Sequence, residues 1–264
     1  MKENQIIVRQ LGNGGAFDYS QPKTAFTLFD DKILVDCGYD IFPVLMNTVD
    51  EKGVKIADKI QYIFITHMHD DHMGSLMSYL YWVEFIRKSH VDVFLPREVY
   101  DYVNYCIEKE VWTYPNLTRN YKYVNIYNVS EFSYKCPAQN HIRPFHFSFI
   151  ERLTHGNYYN TSYKFWDLVY NDFDVPSYKV AVTITGDTKA YEELENFVFE
   201  GLCKGDRLIV FHDFSKWNSV NNIHATEQDI EQIYSDMFKK YLVYVHTGTT
   251  DFKKVYYLKD IKQI

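Results

Sequence analysis

Long apolar runs are missing from this 264-residue chain, and none approaches the ~20 residues that a membrane-spanning helix needs. The first residues, Met1 to Gln5, lead straight into a strand pattern without an apolar signal core, so a cytoplasmic location is expected. Cysteine is scarce: Cys37, Cys106, Cys136 and Cys203 form neither a Cys-x-x-Cys pair nor a ladder of close spacings, and free thiols are expected. Glycine (11) and proline (7) are sparse, and neither a linker nor a repeat divides the chain, so one domain over residues 1–264 is expected. Positive charge is also in deficit, with 28 Lys and Arg against 35 Asp and Glu and a net charge of −7. That balance disfavours sequence-independent binding of a nucleic acid polymer through a broad basic face.

What the chain has in surplus is aromatic side chains, 24 Tyr and 19 Phe, which suit stacking and subunit contacts. It also has one segment dense in metal-ligand types. Ile63 to Thr66 reads as a short buried strand, followed at once by His67, His69, Asp71 and His72. Alternate residues of an extended segment point the same way, so His67 and His69 can share one metal. Asp71 and His72 lie where the chain turns into a helix and can face a second. Imidazole nitrogens with carboxylate oxygens suit zinc, manganese or iron rather than calcium.

The remaining elements deliver polar residues in the same manner. Gln5 to Leu11 reads as a strand ending in the glycine turn Gly12 to Ala16, and Thr24–Phe29 with Lys32–Val35 reads as a hairpin around Asp30 and Asp31. Helical spacing covers Tyr39–Val49. From Met73 to Lys88, Leu76, Met77, Leu80, Val83 and the pair Phe85/Ile86 form one apolar stripe. Val91–Leu95 is a strand, a helix runs from Pro96 to about Glu110, and Tyr121–Val129 returns as a strand. Pro144–Leu153 is a strand that ends at His155, the candidate third ligand of the first metal, with His141 and His146 as competitors. Val180–Thr185 delivers Asp187, a candidate bridge between two metals, and Glu192–Phe199 follows as a helix. Arg207–Phe211 ends in His212 and Asp213. Thr226 and Asp229 resemble a capping pair for a helix to Lys240, and Tyr241–Val245, the last clear strand, ends at His246.

Taken in order, Asp36-Cys37-Gly38, the His67 to His72 motif, Thr154-His155-Gly156, Thr185 to Thr188, His212-Asp213, His224-Ala225-Thr226 and His246 resemble ribonuclease Z and its relatives in the metallo-β-lactamase superfamily. The resemblance implies an α+β fold, the four-layer αββα sandwich. It also implies two divalent metal ions, zinc in first place and manganese in second. Carried over, His67, His69 and His155 ligate one metal, Asp71, His72 and His246 the other, and Asp187 bridges them. Asp213 and His224 correspond to a proton-donating pair, and Asp71 is counted with the catalytic groups as well. Only residues 156–186 separate His155 from Asp187, too few for the extended arm that grips tRNA in ribonuclease Z. Armless relatives resemble phosphodiesterases that open cyclic nucleotides, among them phage anti-Pycsar enzymes that remove the cyclic mononucleotide signals of bacterial defence.

The resulting expectation is hydrolysis of 3′,5′-cyclic mononucleotides by a hydroxide bridging two metals, in a homodimer acting on a small anionic nucleotide. Aromatics between Tyr158 and Trp166 are candidate stacking partners for the base. A tRNA 3′-processing endonuclease, a lactonase or other metallo-hydrolase, and a non-catalytic metal-clasped binding module are the alternatives.

Overall fold

The computed structural model describes residues 5–113, 121–131, 145–153, 159–170, 176–215, 224–249 and 251–264. Two mixed sheets face each other. The first contains β1 (Ile6–Gly12), β2 (Ala25–Leu28), β3 (Ile33–Val35), β4 (Tyr62–Phe64), β5 (Val91–Leu95), β6 (Val124–Asn128) and β12 (Val255–Tyr257), in the order β12-β1-β2-β3-β4-β5-β6. The second contains β7 (His146–Leu153), β8 (Tyr159–Tyr170), β9 (Pro176–Ile184), β10 (Arg207–Asp213) and β11 (Leu242–Val245), in the order β11-β10-β9-β8-β7, with β13 (Lys262–Gln263) paired to β10.

Alternation along the strands explains the layering, since successive side chains leave a strand on opposite faces. Phe64 points between the sheets, while Ile63 and Ile65 point to the outer face. Val182 and Ile184 of β9 likewise face inward and Ala181 outward, as Ile209 and Phe211 of β10 do against Leu208 and Val210. The inter-sheet layer is aromatic: Phe64 stacks on Phe94 at 4.6 Å and meets Phe147 and Phe165 edge-on at 4.9 Å. Helices α1 (Ile41–Asn47), α2 (Ile56–Lys59), α4 (Leu76–Trp82) and α5 (Arg97–Thr113) cover the outer face of the first sheet. Helices α6 (Glu192–Phe199), α7 (Glu227–Ile233) and α8 (Asp236–Lys239) cover that of the second. This is the αββα sandwich of the metallo-β-lactamase fold.

The strand registers bring the polar residues to one rim. β3, β4, β5 and β6 run parallel, and so do β9, β10 and β11. The carboxyl ends of β3, β4, β9, β10 and β11 therefore open at Asp36, His67, Asp187, Asp213 and His246. Crevices outside such carboxyl ends are where open α/β sheets bind ligands.

Four local expectations change. The stripe from Met73 to Lys88 is not one helix: α3 (Asp70–Met73) stops at Gly74, α4 follows, and Val83–Arg87 is a π-helical turn. The wider turn leaves Val83 buried but turns Phe85 and Ile86 toward solvent. The helix expected to reach Lys240 stops at Ile233, because Ser235 caps a new helix by accepting from Phe238 N and bonds to Glu195 through its own N–H and hydroxyl. The Thr226–Asp229 capping box is present. Of the Tyr158–Trp166 segment expected to offer stacking partners, Tyr159 to Trp166 lie in β8, while Tyr158 is outside the described residues. Tyr163 and Phe165 are in the inter-sheet core, and Trp166 stacks on His146 of β7. Finally, two strands, β12 and β13, follow Val245.

Candidate metal centre

Asp36 begins the site. Its backbone is left-handed (φ 63°), and its Oδ1 accepts from the Thr66 N–H at 2.8 Å and from the Thr66 hydroxyl at 3.0 Å. Its other oxygen receives His72 Nδ1 at 2.9 Å, which leaves His72 Nε2 as the outward nitrogen. Gly38 is required two residues on, because a Cβ there would sit 2.1 Å from the Asp71 carbonyl oxygen. The strand missed in the sequence holds the same corner. Thr161 N–H donates to Thr66 O, Tyr163 Oη donates to Ile65 O, and Asn160 and Ser162 donate to Thr185 O. Gly186 (φ 63°) carries the chain past Thr66, whose Cβ would lie 2.7 Å from an added methyl.

These supports converge on Asp187. Its Oδ1 lies 3.0 Å from His72 Nε2 and 3.8 Å from His246 Nδ1, while its Oδ2 lies 3.7 Å from His67 Nε2. The donor atoms of His67, His69 and Asp187 lie within 4.8 Å of one another, and so do those of Asp71, His72, Asp187 and His246. Asp187 belongs to both sets. A third set, Asp187, Asp213, His224 and His246, meets the same distance. In it Asp213 Oδ2 is already spent, accepting from His224 Nδ1 at 2.7 Å and from Thr188 N–H at 2.9 Å. The structure thus brings together His67, His69, Asp71, His72, Asp187, His246, Asp213 and His224, while His155 and the competing His141 lie outside the described residues. His146 packs on Trp166, away from this group.

A cation suits these residues on their own chemistry. His72 Nε2, Asp187 Oδ1 and Asp213 Oδ1 are buried without a hydrogen-bond partner, although His72 Nε2 and Asp187 Oδ1 are close enough for an ion pair. Their 3.0 Å approach lacks hydrogen-bond alignment, as two ligand atoms around a common ion would. Imidazole and carboxylate together are a donor set for a divalent transition metal. In the chain by itself the histidines carry the compensating charge. Burial opposes protonation of His72 and His246, yet Asp187 and its neighbouring carboxylates raise both, His246 to about 10. Burial and the adjacent His72 push His67 the other way. Burial also opposes ionisation of Asp71 and Asp187, but facing histidines, His72 and His246 among them, hold both carboxyls below their usual range.

His224 stands beside the cluster. Burial disfavours its charged form, but the Asp213 hydrogen bond and charge outweigh that and raise its pKa. His212, although adjacent to Asp213, is structural: it is fully buried, with Nδ1 on the Asp213 carbonyl and Nε2 on Tyr234 Oη. Sequence reasoning assigned no role to Asn13. This fully buried amide accepts from His246 N–H at 2.9 Å and donates to Thr247 Oγ1 at 2.7 Å, anchoring His246 in its left-handed conformation (φ 63°). Gly15 in the same turn allows His246 to approach, since a Cβ there would lie 3.0 Å from its Nε2. The only signal in the sequence was the glycine turn itself.

One cavity of about 840 Å³ exposes the cluster, lined by His69, Asp71, Asp187, His224 and His246. Residues 15–19 and Tyr39 line it as well.

Comparison with known proteins places the chain in a family. The model of the family described as Anti-Pycsar protein Apyc1 matches residues 6–257. No curated protein matches the chain in sequence. Among solved structures, the metallo-beta-lactamase fold protein YhfI from Bacillus subtilis is similar at 14% identity, over 92% of this chain and 86% of that one, with a TM-score of 0.59. The short form of human tRNase Z, ELAC1, is similar at 18% identity over 91% and 92%, with a TM-score of 0.61. Unliganded yeast PDE1 is similar at 15% identity over 94% and 90%, with a TM-score of 0.60. At these identities the likeness concerns the fold.

Proposed function

This chain belongs to the anti-Pycsar Apyc1 family, and from that membership we propose that it is a metal-dependent phosphodiesterase hydrolysing 3′,5′-cyclic mononucleotides. The observation that carries the reading is Asp187, whose two oxygens face two separate ligand sets beside the Asp213–His224 pair, with Asp187 and His224 lining one cavity. His67 and His69, with His155, would hold one divalent ion, and Asp71, His72 and His246 the other. Zinc is the first choice and manganese the second. Ions held there would supply a water acidified toward neutral pH and offset the phosphate charge.

The chain's own residues supply the rest. Asp36 fixes the His72 ring, and Asn13 fixes the His246 backbone, so the ligands keep their spacing without substrate. Asp213 holds the Nδ1 proton of His224, leaving Nε2 to carry the mobile proton. As the water oxygen bonds to phosphorus and the phosphorus–ribose oxygen bond breaks, that proton passes from Nε2 to the departing oxygen. The product is an open nucleotide monophosphate, which is the chemistry of signal removal. Among the described residues between His155 and Asp187, 159–170 and 176–184 build β8 and β9, and the span of 31 residues suits a small substrate.

The test is turnover of 3′,5′-cyclic mononucleotides, cyclic dinucleotides, a precursor tRNA and a lactone panel with Zn²⁺ or Mn²⁺, beside His69→Ala. Cleavage of cyclic mononucleotides that is lost in the variant supports the proposal. Cleavage of precursor tRNA alone would replace it with a processing role, and lactone hydrolysis alone with an acyl hydrolase. The homodimer belongs to the same reading and is tested by light scattering of the purified chain.

A further inference from the structure

The loop from Gly14 to Lys23 is built unlike an ordinary surface connection. Its tip exposes two large aromatic side chains, Phe17 at 90% and Tyr19 at 80%, where burial would normally be favoured. Both line the cavity that also contains His69, Asp71, Asp187, His224 and His246.

The loop is nonetheless tightly closed. Gly14 N–H donates to Pro22 O and Thr24 N–H to Gly14 O, each at 3.0 Å, so its two ends meet as in an Ω-loop. Inside it, Asp18 Oδ1 accepts from Ser20 N–H at 2.9 Å and from its hydroxyl at 2.6 Å, while Oδ2 accepts from Gln21 Nε2 at 3.0 Å. Lys23, fully buried, donates from its ammonium to the Asp18 carbonyl. The same ammonium lies 5.1 Å from the Tyr19 ring centroid and 4.7 Å from that of Tyr39, within cation–π range of both. Tyr19 and Tyr39 are 6.3 Å apart. A buried cation thus contacts both rings, and both tyrosines line the cavity.

We propose that this loop is a nucleobase platform: Phe17 and Tyr19, backed by Tyr39, stack the base of a nucleotide whose phosphate lies at the carboxylate–histidine cluster. The inference rests on the phosphodiesterase reading and adds the residues that bind the base. Lys23 is a positioning residue that sets the ring planes. Both Asp18 carboxylate oxygens are engaged within the loop, so recognition is through ring faces. This places the platform on the first sheet's β1–β2 connection, remote in sequence from Tyr158–Trp166.

The test compares two substrates, 3′,5′-cyclic AMP and the base-free 1-O-methyl ribose 3,5-cyclic phosphate. In the Phe17→Ala/Tyr19→Ala double variant, the ratio of kcat/KM for the first over the second should fall about 5- to 150-fold, the loss of one stacked base. For cyclic AMP the change should appear in KM more than in kcat. Lys23→Met should lower the ratio, and Lys23→Arg should restore it. An unchanged ratio in the double variant overturns the platform. If wild type hydrolyses neither substrate, the phosphodiesterase reading falls, and calorimetric titration with 5′-AMP decides the platform separately. Binding by wild type that weakens in the double variant supports it; equal binding, or none by wild type, overturns it.

Discussion

Replacing Asp213 with asparagine tests the proposed proton-donating pair while keeping its shape. Asparagine is isosteric and can still accept from Thr188 N–H, so the 2.9 Å bond that places the residue is retained. What disappears is the negative charge 2.7 Å from His224 Nδ1, at a residue 1% exposed, where water offers no substitute. A hydrogen bond to a charged partner contributes about 1.5–3 kcal/mol, so weakening the imidazolium by that amount should lower kcat about 10- to 160-fold near neutral pH. The pH dependence has a definite sign. Burial opposes protonation of His224 but Asp213 overcomes it, so the folded pKa is raised and the proton donor is present at low pH. It is lost as pH rises through that raised value, and Asp213→Asn should shift this alkaline limb to lower pH. The assay is kcat against pH for a cyclic nucleotide and for a p-nitrophenyl nucleotide ester, whose leaving group needs little protonation. The deficit should shrink sharply with the ester. An equal deficit on both substrates with an unmoved limb would refute the proton-donor role, and a parallel loss of bound metal would reassign Asp213 as a ligand.

Three further outcomes follow from the same geometry. Asn13→Ala should leave the fold intact but weaken binding of the ion proposed to lie at His246, by roughly 10- to 100-fold, read as metal per chain after dialysis beside circular dichroism. In the metal-free chain, carboxylates overcome burial to raise His72 and His246, so both are protonated near neutrality; ion binding should release protons and strengthen as pH rises, seen by calorimetry in buffers of different ionisation enthalpy. Far from the site, buried Asp31 accepts from Arg9 at 2.8 Å and Thr27 at 2.5 Å and pairs with Lys59 at 3.2 Å, so Asp31→Ala should cost roughly 3–5 kcal/mol in urea unfolding. Burial opposes ionisation there, but Arg9, Thr27 and Lys59 hold the carboxyl below its ordinary range, so this stabilisation should persist above about pH 4 and fade as acid lowers the pH further.

Much of the candidate site was legible because its chemistry is local. His67, His69, Asp71 and His72 occupy one strand-to-helix turn, and Asp187, Asp213 and His246 each follow an apolar strand, so period-two patterning and residue type suffice to find them. The β8 strand was harder to see. Its alternation is present, but Lys164 sits at a buried position, which reads against a central strand. The conflict is resolved in three dimensions: Lys164 donates to the carbonyls of Phe197 and Glu200 at the end of α6, and burial pushes it down to about 8.

By itself, then, the sequence determined which residues could ligate and which strands present them, because those properties depend on side-chain type and on short-range spacing. Only the tertiary structure decided that Asp187 faces two ligand sets, that Asn13 secures His246 across 233 positions, and that the exposed aromatics of the Gly14–Lys23 loop share a cavity with the cluster. Those relations depend on the packing of two sheets and the parallel registers of their strands, which bring residues distant along the chain to one rim.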